Sequence, residues 1–176
     1  TMLAEVRAGI NARNIALSKD GKHVAVANYL PNSLVILSGD DLSVEKTFEV
    51  RDSKGNPSRV SAVYQARPRD SFVAALKDVP EIWEIATDPA APPVYGGLVH
   101  SHEKGMVEGL ASSQGLFALR RIEIPEPLDD FFFDPGYHNL IGANRDGETG
   151  VVVNLDVGRE IASLPLPGMP HLGSGI

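Results

Sequence analysis

No cysteine occurs among the 176 residues. That removes disulfide staples, thiolate catalysis, cysteine-ligated zinc or iron–sulfur centres, and a CxxCH haem attachment within this stretch. Nor does any run approach the roughly 18 uninterrupted apolar residues that a membrane-spanning helix requires. Residues 1–10 lack the basic and then apolar layout of a signal peptide, so the compartment is not written in them. Positive charge is scarce as well: 16 Lys and Arg stand against 23 Asp and Glu, a formal net charge of -7. Clustered cations are what neutralise phosphates, so this balance argues against non-specific nucleic-acid binding. An anionic partner would have to be met by a few placed arginines.

Glycine and proline, by contrast, are plentiful at 17 and 13 residues, and they fall in short clusters. Between those clusters lie short apolar or alternating runs. The first group holds 14–18, 23–28, 33–37 and 44–50, separated by Asp20-Gly21, Pro31-Asn32 and Gly39-Asp40-Asp41. This is the grammar of a four-stranded antiparallel meander. It returns with Val60-Ser61-Ala62-Val63-Tyr64, 72–76 and 81–85, and again with 130–133, 139–143 and 151–155. Taking Asn28, Lys77 and Asn144 as the ends of the second strands, the second interval exceeds the first, which places an insertion near 89–115. Residues 117–124 then supply the missing fourth strand. Small sheets repeated at this period, each with two apolar faces, predict β-propeller blades stacked on one another; a β-sandwich is the rival. The expected fold is all-β, a propeller segment of three to four blades at about 12–50, 59–124 and 128–166, with a further blade beginning near 168.

Five stretches carry a family resemblance: Ala12-Arg13-Asn14-Ile15, Ala27-Asn28-Tyr29-Leu30-Pro31, Arg59-Val60-Ser61-Ala62-Val63, Leu128-Asp129-Asp130 and Pro170-His171-Leu172-Gly173-Ser174-Gly175. In order and spacing they resemble landmarks of the haem d1 propeller of cytochrome cd1 nitrite reductase. Residues 128–144 and 154–175 resemble more closely its non-cytochrome relative, the NirF-type haem d1 biosynthesis protein. The resemblance implies an eight-bladed ring of four-stranded sheets with haem d1, or a precursor of it, as ligand over the channel mouth. It implies an axial iron ligand outside this segment, and no metal ligand within it.

The reductases carry two distal histidines, and the matching positions here are Asp129 and His171. An ordinary aspartate is ionised near neutral pH and cannot replace an imidazole as proton donor. Asp129 therefore suits a base, a relay or an orienter of His171 in chemistry on the macrocycle, and nitrite reduction is not expected. The resemblance also assigns Arg13, Tyr29, Arg59 and Arg145 to the ligand's surroundings, the arginines pairing with its carboxylates. The implied function is haem d1 biosynthesis: binding of a late tetrapyrrole precursor and its modification or delivery for nitrite reductase maturation. Two alternatives stand beside it, a non-catalytic propeller interaction module and a cytochrome-type dihydro-haem d1 dehydrogenase or nitrite reductase relative. The expected partners are the tetrapyrrole and other haem d1 maturation proteins or nitrite reductase, with no nucleic acid and no membrane span. The resemblance implies the periplasm, with the cytoplasm as the other setting.

Plainer readings exist for each residue. Asp129 also suits a turn residue, His171 a structural histidine beside Pro170, Tyr29 a packing residue, and the arginines ordinary surface charges. His100, His102 and Glu103 fall in the insertion and read as solvated, while His23 and His138 sit beside turns where exposure is expected.

Overall fold

The computed structural model describes residues 3–95 and 111–165. Three four-stranded antiparallel sheets account for almost all of them. The first is a simple meander of β1 (Asn11–Leu17), β2 (His23–Leu30), β3 (Ser33–Ser38) and β4 (Val44–Glu49). The second runs through β5 (Val60–Ala66), β6 (Ser71–Leu76) and β7 (Glu81–Ala86), then leaves for a small hairpin of β8 (Val94–Tyr95) and β9 (Ala111–Ser113). The chain returns as β10 (Leu119–Glu123), which pairs with β7 and completes the sheet. The third is again a meander, of β11 (Leu128–Phe133), β12 (Asn139–Asn144), β13 (Thr149–Asn154) and β14 (Arg159–Pro165).

The middle strands are continuous apolar runs because both of their faces are covered. Leu34 and Ile36 of β3, Ala74 and Leu76 of β6, and Trp83 and Ile85 of β7 share one cluster between the first and second sheets. The other faces of β6 and β7, through Val73, Ala75 and Ile82, meet Phe131, Leu140, Val151 and Val153 of the third sheet. The first strands β1, β5 and β11 lie side by side. They are stitched together by polar groups: Asn14 donates from Nδ2 to the Val63 carbonyl at 2.9 Å and accepts the Val63 N–H at 3.1 Å. On the other side of β5, the Ser61 hydroxyl lies 2.7 Å from the Leu128 carbonyl, and Tyr64 donates to Asp130 Oδ1 at 2.8 Å. This is the blade-on-blade arrangement of a β-propeller.

The register carries a repeat finer than the strands themselves. Ala12 faces Asn28 and Asn14 faces Ala27, so Arg13 is an extra residue in β1. Val60 faces Leu76 and Ala62 faces Ala75, which leaves Ser61 unpaired in β5. Leu128 faces Asn144 and Asp130 faces Ala143, which leaves Asp129 unpaired in β11. Each first strand thus has a β-bulge at the equivalent place, and a bulge re-aims the extra side chain and tightens the local twist. The same alignment equates Asn28 and Asn144 with Leu76, so Lys77 lies one residue beyond the strand-end position that the sequence pattern assigned to it. Gly142 lies behind the third bulge, where a Cβ would come within 2.6 Å of Leu128 Cδ1 and would displace that side chain.

Candidate functional site

The bulges of β1, β5 and β11 lie at the end of the sheets where the turns after β2, β6 and β12 also emerge. Short turns between neighbouring strands make this unavoidable, because an antiparallel meander returns every second connection to the same end. Tyr29, Lys77 and Arg145 each follow the residue paired opposite the one before the bulge, namely Asn28, Leu76 and Asn144, and so they occupy corresponding places on one rim.

At that rim the sequence-assigned residues are joined through two that were not assigned, Lys77 and Asp78. Arg59 donates to Asp78 from its backbone N–H at 3.0 Å, from Nε at 2.9 Å and from Nη2 at 2.6 Å. Arg145 of the third sheet donates to the same carboxylate at 3.0 Å. These hydrogen bonds, Arg59's first among them, hold the Asp78 carboxyl down to about 2 against the partial burial that opposes them. The Arg59 guanidinium also stands 5.2 Å from the centre of the Tyr29 ring, on whose face a cation is attracted by the ring quadrupole. Lys77 lies 5.6 Å from the same ring and is hydrogen-bonded to Asp129. Tyr29, Arg59, Asp129 and Arg145, contributed by three sheets, are therefore brought together.

Arg13 stands on the neighbouring part of the rim. It is exposed, and it pairs with no carboxylate among the described residues. Its charge reaches the Tyr64 phenol, which is nonetheless pushed up to about 12 by burial and by its hydrogen bond to Asp130. His171 lies outside the described residues, as do His100, His102 and Glu103. Among the described residues no group of three or more His, Asp or Glu is arranged to hold a metal ion, and no helix is long and apolar enough to cross a membrane.

The arginines are not equivalent. The Nε and Nη2 edge of Arg59, which is the fork that reads a carboxylate, is already filled by Asp78. Arg145 gives Asp78 a single hydrogen bond and remains half-exposed, and Arg13 is open. Two guanidinium groups are thus available to an incoming anion, while the third is held against an aromatic ring. One signal for Asp78 was present in the sequence: an Asp directly before Val79-Pro80 in a short inter-strand turn, at the place where Asp146 and Leu30 occur in the other sheets. Nothing in it pointed to Arg59.

The opposite end of the sheets carries a different set of charges. Glu84, largely buried, accepts from Arg69 at 2.7 Å and Arg120 at 3.2 Å, and Arg69 and His138 both meet Asp156. An open pocket of about 400 Å³ lies over this pair of arginines, walled by Ala86, Pro92, Val94 and Ala118. Its cations are matched by internal carboxylates. His23, expected to be exposed, is buried at 8% exposure: it is bonded to Glu45 at 2.6 Å and set edge-on to Phe117, a ring delivered by the segment that follows the hairpin.

Residues 1–93 match the family described as the Cytochrome D1 heme domain. Over 175 residues, 99% of its length, the chain is 45% identical to the dihydro-heme d1 dehydrogenase of Pseudomonas aeruginosa and covers 31% of that protein. The solved structure of dihydro-heme d1 dehydrogenase NirN in complex with DHE superposes with a TM-score of 0.78 at 44% identity, over 97% of this chain and 32% of that one. The periplasmic gluconolactonase PpgL of Pseudomonas aeruginosa gives a TM-score of 0.65 at 16% identity, over 94% of this chain and 42% of that one, a likeness of fold alone. The chain spans about a third of the length of the dehydrogenase it matches.

Proposed function

We propose that this chain, which belongs to the cytochrome d1 haem domain family, supplies part of the tetrapyrrole-binding rim of a haem d1 biosynthesis protein, and that the whole protein dehydrogenates a late precursor. The observation that carries the reading is the convergence of Tyr29, Arg59, Asp129 and Arg145 on one rim. These are the positions the family resemblance assigned to the ligand's surroundings.

The chemistry of the rim suits such a ligand. A carboxylate-rich macrocycle needs cations at its edge and apolar or aromatic surface against its plane. Arg13 and Arg145 offer the first, and Tyr29, backed by Arg59, offers the second. The two outward guanidinium groups explain how a chain of net charge -7 receives an anion.

Within haem d1 biosynthesis, the identity to a dihydro-heme d1 dehydrogenase supports dehydrogenation over mere delivery, and a dehydrogenase over a NirF-type assignment. Removing two hydrogens releases two electrons and two protons. The two electrons need an acceptor outside these residues; of the two protons, one is assigned to the Asp129 carboxylate and the other to its expected partner, His171, from which both pass to solvent. The family setting supports the periplasm. The experiment is addition of a dihydro-haem d1 precursor to the full-length protein. A shifted Soret band followed by conversion of the macrocycle supports the proposal, whereas an unshifted spectrum refutes it.

A further inference from the structure

Lys77 has no part in the reading above, yet every polar group it owns is engaged at the rim. Its backbone N–H donates to the Arg59 carbonyl at 2.8 Å, and its own carbonyl accepts from Arg145 Nη1 at 3.3 Å. The stem of the side chain therefore starts from a fixed point. Its ammonium donates to Asp129 Oδ1 and faces the Tyr29 ring, and the Lys77 and Asp129 side chains are only 17% and 20% exposed. Asp129 is the extra residue of the β11 bulge, so no cross-strand neighbour on β12 holds it in register. Among the described residues, the lysine reaching across from the second sheet is the side chain hydrogen-bonded to that carboxylate.

We propose that Lys77 is a positioning residue, which holds the Asp129 carboxylate at the rim beside Tyr29 in the orientation that proton transfer requires. The inference rests on the reading of Asp129 as the proton-handling group. An ammonium is suited to the task because it carries three donors: one holds the carboxylate while the group still faces an aromatic ring. The orientation matters because misplacement of a catalytic group by about 1 Å costs roughly a hundredfold in rate. Ligand affinity rests on the ring contacts and the outward arginines, so the lysine should act on turnover and not on binding.

The test uses the full-length protein, with Lys77→Met, Lys77→Arg, Asp129→Asn and the double variant Lys77→Met/Asp129→Asn, each titrated with and then turning over a dihydro-haem d1 precursor. For Lys77→Met the expected result is a Kd within about threefold of wild type and a turnover rate reduced about tenfold or more. Lys77→Arg, which keeps a charged donor, restores most of the rate. The double variant is no slower than Asp129→Asn alone, since a residue that works through another adds nothing once the other is gone. Wild-type turnover in Lys77→Met, equal losses of affinity and rate, or additive losses in the double variant would each overturn the proposal. Should Lys77→Met not fold, Lys77→Leu, which likewise lacks a donor, replaces it with the same expected outcomes. A wild-type protein that neither binds nor converts the precursor refutes the functional reading itself; a wild-type protein that converts it with Lys77 indifferent removes only the positioning role.

Discussion

Arg59 and Asp78 share three hydrogen bonds, two from the guanidinium and one from the Arg59 backbone, so that the carboxylate closes over both the side chain and the chain from which it springs. This pair is the centre of the rim, because Arg145 joins it from the third sheet and Tyr29 packs on it from the first.

Asp78→Asn keeps the shape and removes the charge. It is expected to destabilise the fold by about 1–2 kcal/mol near neutral pH, a figure reduced by the water that reaches the edge of the pair. The pH dependence has a definite sign. The folded carboxyl lies near 2 and the ordinary value is 3.8, so the stabilisation is complete above about pH 5 and is lost as the pH falls through 3.8 towards 2. Urea unfolding of wild type and variant should therefore converge as the pH falls. A constant difference down to pH 2 would show that the pair does not couple to folding.

The inequivalence of the three arginines predicts a division of labour in the full-length protein. Arg13→Ala and Arg145→Ala should each weaken binding of a carboxylated tetrapyrrole by roughly 1.5–3 kcal/mol, the worth of a hydrogen bond to a charged group, and leave the melting temperature nearly unchanged. Arg59→Ala should lower the melting temperature, because it strands Asp78 and uncovers Tyr29. If Arg59→Ala alone abolishes binding without affecting stability, its fork is not held by Asp78 when ligand is bound.

Tyr64 gives a spectroscopic check on the seam between the second and third sheets. Its phenol is raised to about 12, by burial first and by the Asp130 hydrogen bond second. A raised phenol favours the folded state below 10, where both states are neutral, and that advantage disappears as the pH climbs through 10 to 12 and the unfolded chain ionises first. Ultraviolet titration should show a late-ionising tyrosine, and Tyr64→Phe should remove that late step. Its persistence in the variant would place the seam elsewhere.

Much of this was legible in the sequence, and the part that was not has a physical reason. Short apolar runs broken by Asp20-Gly21 and Gly39-Asp40-Asp41 gave away the meanders, since a period of two and turn chemistry are local properties. The return of β10 after the insertion followed from the same grammar, since the second meander lacked a fourth strand and 117–124 was the next run able to supply it. Bulges are a different matter. A single extra residue shifts the register by one, and Arg13, Ser61 and Asp129 share no side-chain character that would reveal the common position. Lys77 and Asp78 were hidden for a related reason: their partners come from three sheets, and such encounters are set by how blades stack. His23 was misjudged because its cover, Phe117, arrives from the far end of an insertion.

The last prediction concerns the two outward faces of the three-sheet stack. On the first sheet, Leu17, Val24, Leu37 and Val44 form one cross-strand row and Ile15, Val26 and Val35 the next; Val24, Val26, Val35 and Leu37 are buried in a cluster against which Ala8 packs, whereas Ile15, Leu17 and Val44 at its margins are each more than half exposed. On the third, Phe132, Ile141 and Val152 form a row beside the half-exposed Ile161. Apolar rows of this extent are covered in a propeller by the next blade, and uncovered they drive association. A polypeptide of these 176 residues expressed alone should therefore sediment as oligomers and bind an apolar dye. Replacing Ile15 and Leu17 with lysine should reduce both effects in the isolated segment, because charges on an exposed row oppose association. The same pair of substitutions in the full-length protein should instead destabilise it, because there each lysine is buried against a neighbouring blade without a partner. Opposite outcomes in the two contexts identify the row as a blade interface. A monomeric isolated segment that ignores the dye, or a full-length protein indifferent to the lysines, would mean that no further blade covers this face.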